Sequence, residues 1–205
     1  MNKIFDVLIS GGGPAGTAAA IGLRDSGLSV CLLEKDSFPR DKICGDALST
    51  DVWNQLFQLG FDRSEIDDLT HKISSHGARI VSPAGDVVDF SFPVNGRELA
   101  PGYIAERIVF DEFLWRKAVA TQNVSAIEKT RVKGAVWVEN HWVVDTSNGS
   151  YQAKILLIAD GAQSPLARTI GKVEVERDHY CAGLRQYWEG VEGFHENGFI
   201  ELHFY

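Results

Sequence analysis

The 205 residues contain no long apolar run, no basic stripe and no disulfide framework, and each absence removes a class of function. The longest uninterrupted apolar stretch, Ile155 to Ala159, falls far short of the roughly 20 residues that a spanning helix needs, so no membrane crossing is expected. Lys and Arg number 20 against 28 Asp and Glu, a net charge of −8. Nucleic-acid affinity comes mainly from clustered cations, so no nucleic-acid partner is expected. Cys31, Cys44 and Cys181 have no metal-ligand spacing and cannot form an even disulfide set, which predicts reduced thiols. None of the six histidines has a metal or triad partner at a recognisable spacing, so no metal is expected. Met1-Asn-Lys-Ile-Phe5 leads straight into a strand without room for a signal peptide, which makes a cytoplasmic location the default expectation. Internal repeats and low-complexity segments are absent too.

What is present begins at once. A hydrophobic content of 44% is ample for a packed core in one large or two small domains. The run Asp6-Val-Leu-Ile-Ser10 feeds into Gly11-Gly-Gly-Pro-Ala-Gly16 and re-emerges as an Ala-rich helix, giving strand, tight turn and helix N-terminus in that order. Gly11 permits the turn, Gly13 lets the backbone approach a pyrophosphate, and Gly16 lets helix and strand pack closely. Free N–H groups of the first helical turn then face the phosphates. Glu34 follows Gly16 by 18 positions, near the spacing at which an acid accepts hydrogen bonds from a ribose diol. The plainer alternatives are a turn that merely joins strand to helix and a solvated strand-end carboxylate; Lys35 beside it is more often just exposed.

The remaining pattern predicts a strand over 4–10, a helix over 14–26 and a buried strand over 28–33, with Gly27 as a C-cap. A polar loop over 35–49 precedes a helix over 50–59 with Val52, Leu56 and Leu59 on one face, ended by Gly60. From Lys72 to Phe92 short alternating segments broken by Pro83-Ala-Gly85 predict a β-hairpin. Helical spacing returns over 108–120 with Phe110, Phe113, Leu114 and Ala118 as its buried stripe. Strands over 135–138 and 142–145, turned by Glu139-Asn-His141, form a β-meander beside the parallel sheet. The apolar strand 154–159 ends in Asp160-Gly161, before Ser164-Pro165 caps another helix. Residues 179–205 alternate twice, through Tyr180, Ala182, Leu184, Gln186 and Trp188, then through Ile200, Leu202 and Phe204. A strand ending at the last residue, with nothing to cover its edge, reads as part of a longer protein.

Taken together, Gly11–Gly16, Glu34, Phe38-Pro-Arg-Asp-Lys-Ile-Cys-Gly-Asp-Ala-Leu48, Arg107 before a Phe-Asp-x-x-Leu helix, and Ile158-Ala-Asp-Gly-Ala-Gln-Ser-Pro-Leu-Ala-Arg168 resemble the geranylgeranyl reductase family, within the FAD-dependent p-hydroxybenzoate hydroxylase superfamily. Asp160-Gly161 after a strand points to the superfamily, and Pro-x-x-Lys-x-Cys-Gly at 39–45 to the reductase branch. The resemblance implies an α/β fold: a Rossmann-like FAD-binding domain with a β-meander over 1–71 and 97–178, plus part of an antiparallel β-sheet substrate domain over 72–96 and 179–205. A further Gly-Asp motif, contacting the flavin ribityl chain in family members, is expected downstream of position 205.

The resemblance also implies roles. Gly11, Gly13, Ala15 and Gly16 hold the pyrophosphate, and Val132 meets adenine through its backbone. Gly45 and Asp46 lie near the isoalloxazine or ribityl chain, and Arg107 lies against the flavin, its alternative being a surface salt bridge to Asp111 or Glu112. Asp160 orients cofactor phosphate or sugar, while Arg168 braces its loop. Cys44, at the edge of the substrate cavity, donates a proton or shapes the pocket; the bland alternative is a small buried hydrophobe. Arg40 and Lys42 attract a phosphate-bearing head group or simply solvate a loop. Phe90, Phe92, Trp188 and Phe204 are trough walls or core.

The function implied is FAD-dependent reduction of carbon–carbon double bonds in a geranylgeranyl or other polyprenyl group. The electron donor stays open between NADPH, ferredoxin and other reductants. A lipid-borne substrate implies peripheral contact at the inner face of a membrane. Two alternatives share the scaffold: a flavin monooxygenase or halogenase, told apart by a Trp-x-Trp-x-Ile-Pro or Tyr-x-Trp-x-Phe-Pro motif expected past position 205, and a non-catalytic FAD-binding fragment.

Overall fold

The computed structural model describes residues 3–92, 102–174, 176, 178 and 181–205. The expected domain boundary at 96/97 and Tyr180 lie outside the described residues. In chain order the elements are β1 (Ile4–Ser10), α1 (Pro14–Gly22), β2 (Val30–Leu33), β3 (Ala47–Ser49), α2 (Thr50–Gln58), α3 (Arg63–Asp67), β4 (Lys72–Ser74), β5 (Gly77–Val81), β6 (Val87–Ser91), β7 (Gly102–Ala105), α4 (Arg107–Val119), β8 (Val124–Ile127), β9 (Val132–Val138), β10 (His141–Thr146), β11 (Gly149–Ile158), α5 (Pro165–Thr169) and β12 (Ile200–His203). They fall into two compact units: residues 1–41 with 111–182, and residues 42–110 with 183–205.

The first unit is built on a six-stranded sheet in the order β8-β2-β1-β11-β10-β9. Strands β8, β2, β1 and β11 run parallel, with β8 at the edge, and β10 and β9 extend them antiparallel through β11. The expected meander is therefore continuous with the parallel sheet. Strands flanked on both sides need apolar residues on both faces, and Leu8, Ile9, Val30, Leu32 and Leu33 are all buried. Each such burial is worth about 1.5–3 kcal/mol relative to exposure. Phe5, Leu8, Cys31, Leu33, Val144 and Ala153 form one cluster, with Val132, Trp142 and Leu156 packed against it.

Local chemistry sets the ends of these elements. Helix α1 stops at Gly22, short of the expected residue 26, because Arg24 and Ser26 donate their N–H groups three residues back, to Ile21 and Leu23. Ser29 falls outside β2 because its N–H and hydroxyl both bond Asp6. Ser164 caps α5 as expected, its hydroxyl accepting from the Ala167 N–H at 2.8 Å.

The second unit carries two three-stranded sheets, β3-β7-β4 and β12-β5-β6. Strand β3 interrupts the expected 35–49 loop by pairing with β7, and β4 pairs with the other edge of β7. Residues 42–71 belong to this unit. The hairpin around Pro83-Ala-Gly85 forms as β5 and β6. Strand β12 joins β5 in parallel, so that sheet is mixed. Helix α2 buries Trp53 and Leu56 rather than a face centred on Val52 and Leu59, because Trp53 meets Tyr103 edge-on at 4.7 Å. Helix α3, which the sequence reading passed over, starts with a capping box in which the Asp62 carboxylate accepts from the Glu65 N–H and the Glu65 side chain accepts from the Asp62 N–H. The first expected C-terminal strand does not form among the described residues. Residues 181–189 pair with no strand, and Leu184 and Trp188 are exposed.

Two outcomes follow from this packing. Burial pushes the Cys31 thiol up to about 12, while Cys44 and Cys181 are exposed. At about pH 8 alkylation mapped by mass spectrometry should modify Cys44 and Cys181 and spare Cys31 until the chain unfolds. Asp6 is held well below the usual carboxylate range by its bond from Lys154 and then by its bonds from Ser29. A depressed folded-state value stabilises the protein above the unfolded carboxylate pKa of about 3.9, and that stability is lost as pH falls toward the folded value. Asp6→Asn should therefore lower the urea midpoint at neutral pH and leave it nearer to wild type in strong acid.

Candidate functional site

In the first unit the chain turns from β1 into α1 with almost no space to spare. Gly11 has φ +107°, and a Cβ there would overlap the Ala159 carbonyl and come within 2.9 Å of the Asp160 Cα. A Cβ on Gly16 would overlap the Gly11 carbonyl, so only glycine lets the helix lie this close to the strand. Gly12 is equally confined, since its Cβ would come within 2.7 Å of the Trp115 ring and 3.0 Å of the Glu34 Cβ.

Gly13 differs. Its Cβ would meet only Arg40 Nη2, at 3.6 Å, so the backbone is open on that side. Gly13 is also the N-cap of α1, with Pro14 behind it and no side chain capping the helix. An uncapped first turn presents the N–H groups of Ala15 and Gly16 and the positive end of the helix dipole. Beside the turn, Asp160 has a buried Oδ1 without a hydrogen-bond partner in the chain. An open glycine, an uncapped helix and an unpartnered carboxylate oxygen together fit a dinucleotide, with pyrophosphate at the helix and a hydroxyl or water on Asp160.

Glu34 is not the solvated carboxylate of the plainer reading. It is 4% exposed; its Oε2 accepts from the Gly12 N–H at 2.9 Å and its Oε1 from the Asp36 N–H at 3.1 Å. Arg40 reaches Glu34 Oε2 at 3.4 Å and Asp111 Oδ2 at 3.0 Å, and Asp111 is fully buried. Phe38 stacks on Trp115 at 4.8 Å, and the Arg40 guanidinium lies over the Phe38 ring at 4.7 Å. Arg40 thus neither solvates a loop nor projects toward a head group: it joins two buried carboxylates. The readable signal lay in α4, where Asp111 shares the buried helical face of Leu114, Trp115 and Ala118, and a buried acid needs a cation. Phe113, expected on that stripe, is only half-buried.

Among the other expected residues of this unit, Lys35 is about half exposed and pairs with Asp36 at 3.7 Å. Val132 opens β9, its side chain against the core. Arg168 bonds Gln163 at 2.8 Å, in keeping with a bracing role.

In the second unit, Asp46 gathers donors. Its Oδ1 accepts from the Arg107 N–H at 3.2 Å and from Arg185 Nη1 at 3.4 Å, and its Oδ2 from the Tyr187 hydroxyl at 2.9 Å. Arg107 is 9% exposed, so its side chain is withdrawn from the surface. Cys44 is exposed, so it is not a small buried hydrophobe, and a Cβ on Gly45 would meet open space. Phe90, Trp188 and Phe204 are each more than half exposed and are not core.

Residues 6–54 match the family model described as FAD dependent oxidoreductase. Over 97% of its length the chain is 34% identical to conditioned medium factor receptor 1 of Dictyostelium discoideum. It is 34% identical over 89% to menaquinone reductase of Mycobacterium tuberculosis, and 32% over 83% to digeranylgeranylglycerophospholipid reductase of Methanosarcina acetivorans. The chain spans 41%, 44% and 41% of these relatives. A solved structure titled geranylgeranyl bacteriochlorophyll reductase-like, from Thermoplasma acidophilum, superposes with a TM-score of 0.67 at 26% identity, covering 82% of this chain and 42% of that one.

Removing one partner of a buried ion pair leaves the other charge uncompensated. Arg40→Ala should therefore lower the unfolding free energy measured in urea by about 3–5 kcal/mol, with Arg40→Lys recovering part of the loss. Lys35→Ala, at an exposed pair, should change it by no more than about 0.5 kcal/mol.

Proposed function

We propose that the chain, whose residues 6–54 match the FAD dependent oxidoreductase model and whose fold is p-hydroxybenzoate hydroxylase-like, belongs to an FAD-dependent reductase that reduces carbon–carbon double bonds of a geranylgeranyl or other polyprenyl group. The observation that carries the cofactor half of this reading is the open Gly13 backbone at the uncapped end of α1, beside the unpartnered Asp160 oxygen. The polyprenyl half is supported by the relatives named as digeranylgeranylglycerophospholipid and menaquinone reductases.

In this proposal the N–H groups of Gly13, Ala15 and Gly16 hold the pyrophosphate, and Gly11 keeps their turn in place. Glu34 Oε1 retains a lone pair for a ribose hydroxyl while still accepting from Asp36. The Val132 backbone meets adenine, and Lys35 adds positive charge near the phosphates. Gly45, Asp46 and Arg107 serve the flavin half. FAD, when bound, supplies the two-electron chemistry that saturates the alkene. Reduction also needs a proton at the neighbouring carbon; in this proposal the exposed Cys44 thiol donates it and is reprotonated from water. A lipid-borne substrate brings the protein to a membrane surface, the inner face in this reading. Among the described residues no helix is long and apolar enough to cross a membrane.

The test is anaerobic mixing of the dithionite-reduced full-length protein with a geranylgeranyl substrate, following the flavin absorbance band and the product mass. Recovery of the oxidised band with a hydrogenated product is the expected result. Reoxidation only after oxygen is admitted would contradict the proposal and favour an oxygen-using flavoprotein. Loss of a general acid typically costs about 10²–10⁴ in rate, so Cys44→Ala should lower turnover within that range. An unchanged rate would remove the thiol from the mechanism.

A further inference from the structure

From Cys181 to Phe194 every residue is exposed except Arg185, whose side chain is only 15% exposed. This stretch forms no strand, and three of the Arg185 hydrogen bonds fall on one loop. Arg185 Nη1 donates to the Lys42 carbonyl at 2.8 Å and to the Cys44 carbonyl at 3.4 Å, and it reaches Asp46 Oδ1 at 3.4 Å. Two residues on, Tyr187 donates its hydroxyl to Asp46 Oδ2 at 2.9 Å, and the guanidinium lies over its ring at 4.9 Å. The Asp46 end of the loop is tied a second time by the backbone, its carbonyl accepting from the Ala105 N–H at 2.9 Å. Carbonyls of alternate residues and the next carboxylate converge on one cation, and this fixes the direction of the peptide groups around Cys44 and Gly45.

We propose that Arg185, assisted by Tyr187, is a positioning residue that holds the Lys42–Asp46 loop in one conformation and so sets where the Cys44 thiol and the Gly45 backbone lie. The inference rests on the flavin reading only for what this loop faces; the clamp itself stands on contacts within one compact unit. An arginine is suited to the task because a planar, permanently charged fork can serve carbonyls and a carboxylate together. The Asp46 carboxylate then acts as the anchor of the clamp and as an acceptor for the N–H at the start of α4.

The clamp holds the carbonyl of the Lys42–Ile43 peptide bond, which is a trypsin site. Cleavage there requires the loop to open, so its rate relative to cleavage at Lys172, in the other unit, reports the open population. Hydrogen bonds to charged groups are worth about the equivalent of tenfold in population, so Arg185→Ala should raise cleavage at Lys42 about tenfold with Lys172 unchanged. Arg185→Lys, which keeps the charge and donors, should restore most of the protection, and Tyr187→Phe should give a smaller increase. Protection of Cys31 from alkylation certifies that each variant is folded; if Arg185→Ala fails that control, the lysine and phenylalanine variants carry the test. In turnover with a polyprenyl substrate under saturating FAD, Arg185→Ala should lower kcat while leaving KM unchanged. Equal cleavage at Lys42 in all variants would overturn the clamp, and so would a lysine variant as labile as the alanine one. Faster cleavage with unchanged kcat would overturn the positioning role. Failure of the wild-type protein to bind FAD would end the flavin reading and leave the cleavage result standing.

Discussion

A single guanidinium placed between two buried carboxylates is the constraint on which the first unit depends. Arg40 lies within 3.4 Å of Glu34 and 3.0 Å of Asp111, both withdrawn from water. Buried carboxylates left unpaired would be costly, so the cation fixes where the loop after β2 crosses α4. Glu34 in turn accepts from Gly12, which ties the end of β2 to the glycine turn. From the other side the Ala159 N–H, just after β11, donates to the Ser10 carbonyl at 2.8 Å. The ion pairing, the turn and the open Gly13 backbone are thus one arrangement, which the proposal reads as a dinucleotide cradle.

The loop that follows β2 is fastened twice, by unlike means. Arg40 is held as a cation among acids within the first unit. Asp46 is held as an acid among donors within the second. Between them lie the exposed Cys44 and the unobstructed Gly45, the residues that the reductase reading assigns to chemistry and cofactor approach. Anchoring a loop through its flanks while leaving its centre open is how reactive groups are kept positioned without being buried. The exposed Trp188 and Phe204 belong to the same unit, and the apolar trough considered for them remains part of the functional proposal rather than of the core.

Much of this was legible in the sequence where the signal is local. The β1-turn-α1-β2 unit follows from an apolar run, glycine spacing and an acid, and the Pro83–Gly85 hairpin and the Ser164 cap follow from turn and cap chemistry. The Asp62–Glu65 capping box was equally local and was overlooked. What could not be read was non-local. Strands β3, β4 and β7 have three or four residues each, too few to show alternation, and exist because they pair with one another. Arg40 and Asp111 stand 71 positions apart, and Asp46 and Arg185 stand 139 apart, so neither pairing leaves a spacing to recognise. Of the two alternating stretches after residue 180, Ile200–His203 pairs with β5 while 182–188 forms no strand, since alternation yields a strand only where an edge is available to pair with it.

The central claim is that the glycine turn and its neighbours bind the adenosine-diphosphate half of FAD. Equilibrium titration of the full chain with FAD, FMN and ADP, read by flavin fluorescence and by calorimetry, tests it most directly. The account predicts equimolar FAD binding that ADP displaces, with FMN, which lacks the adenylate, binding far more weakly. FMN binding as tightly as FAD, or FAD binding that ADP cannot displace, would contradict it.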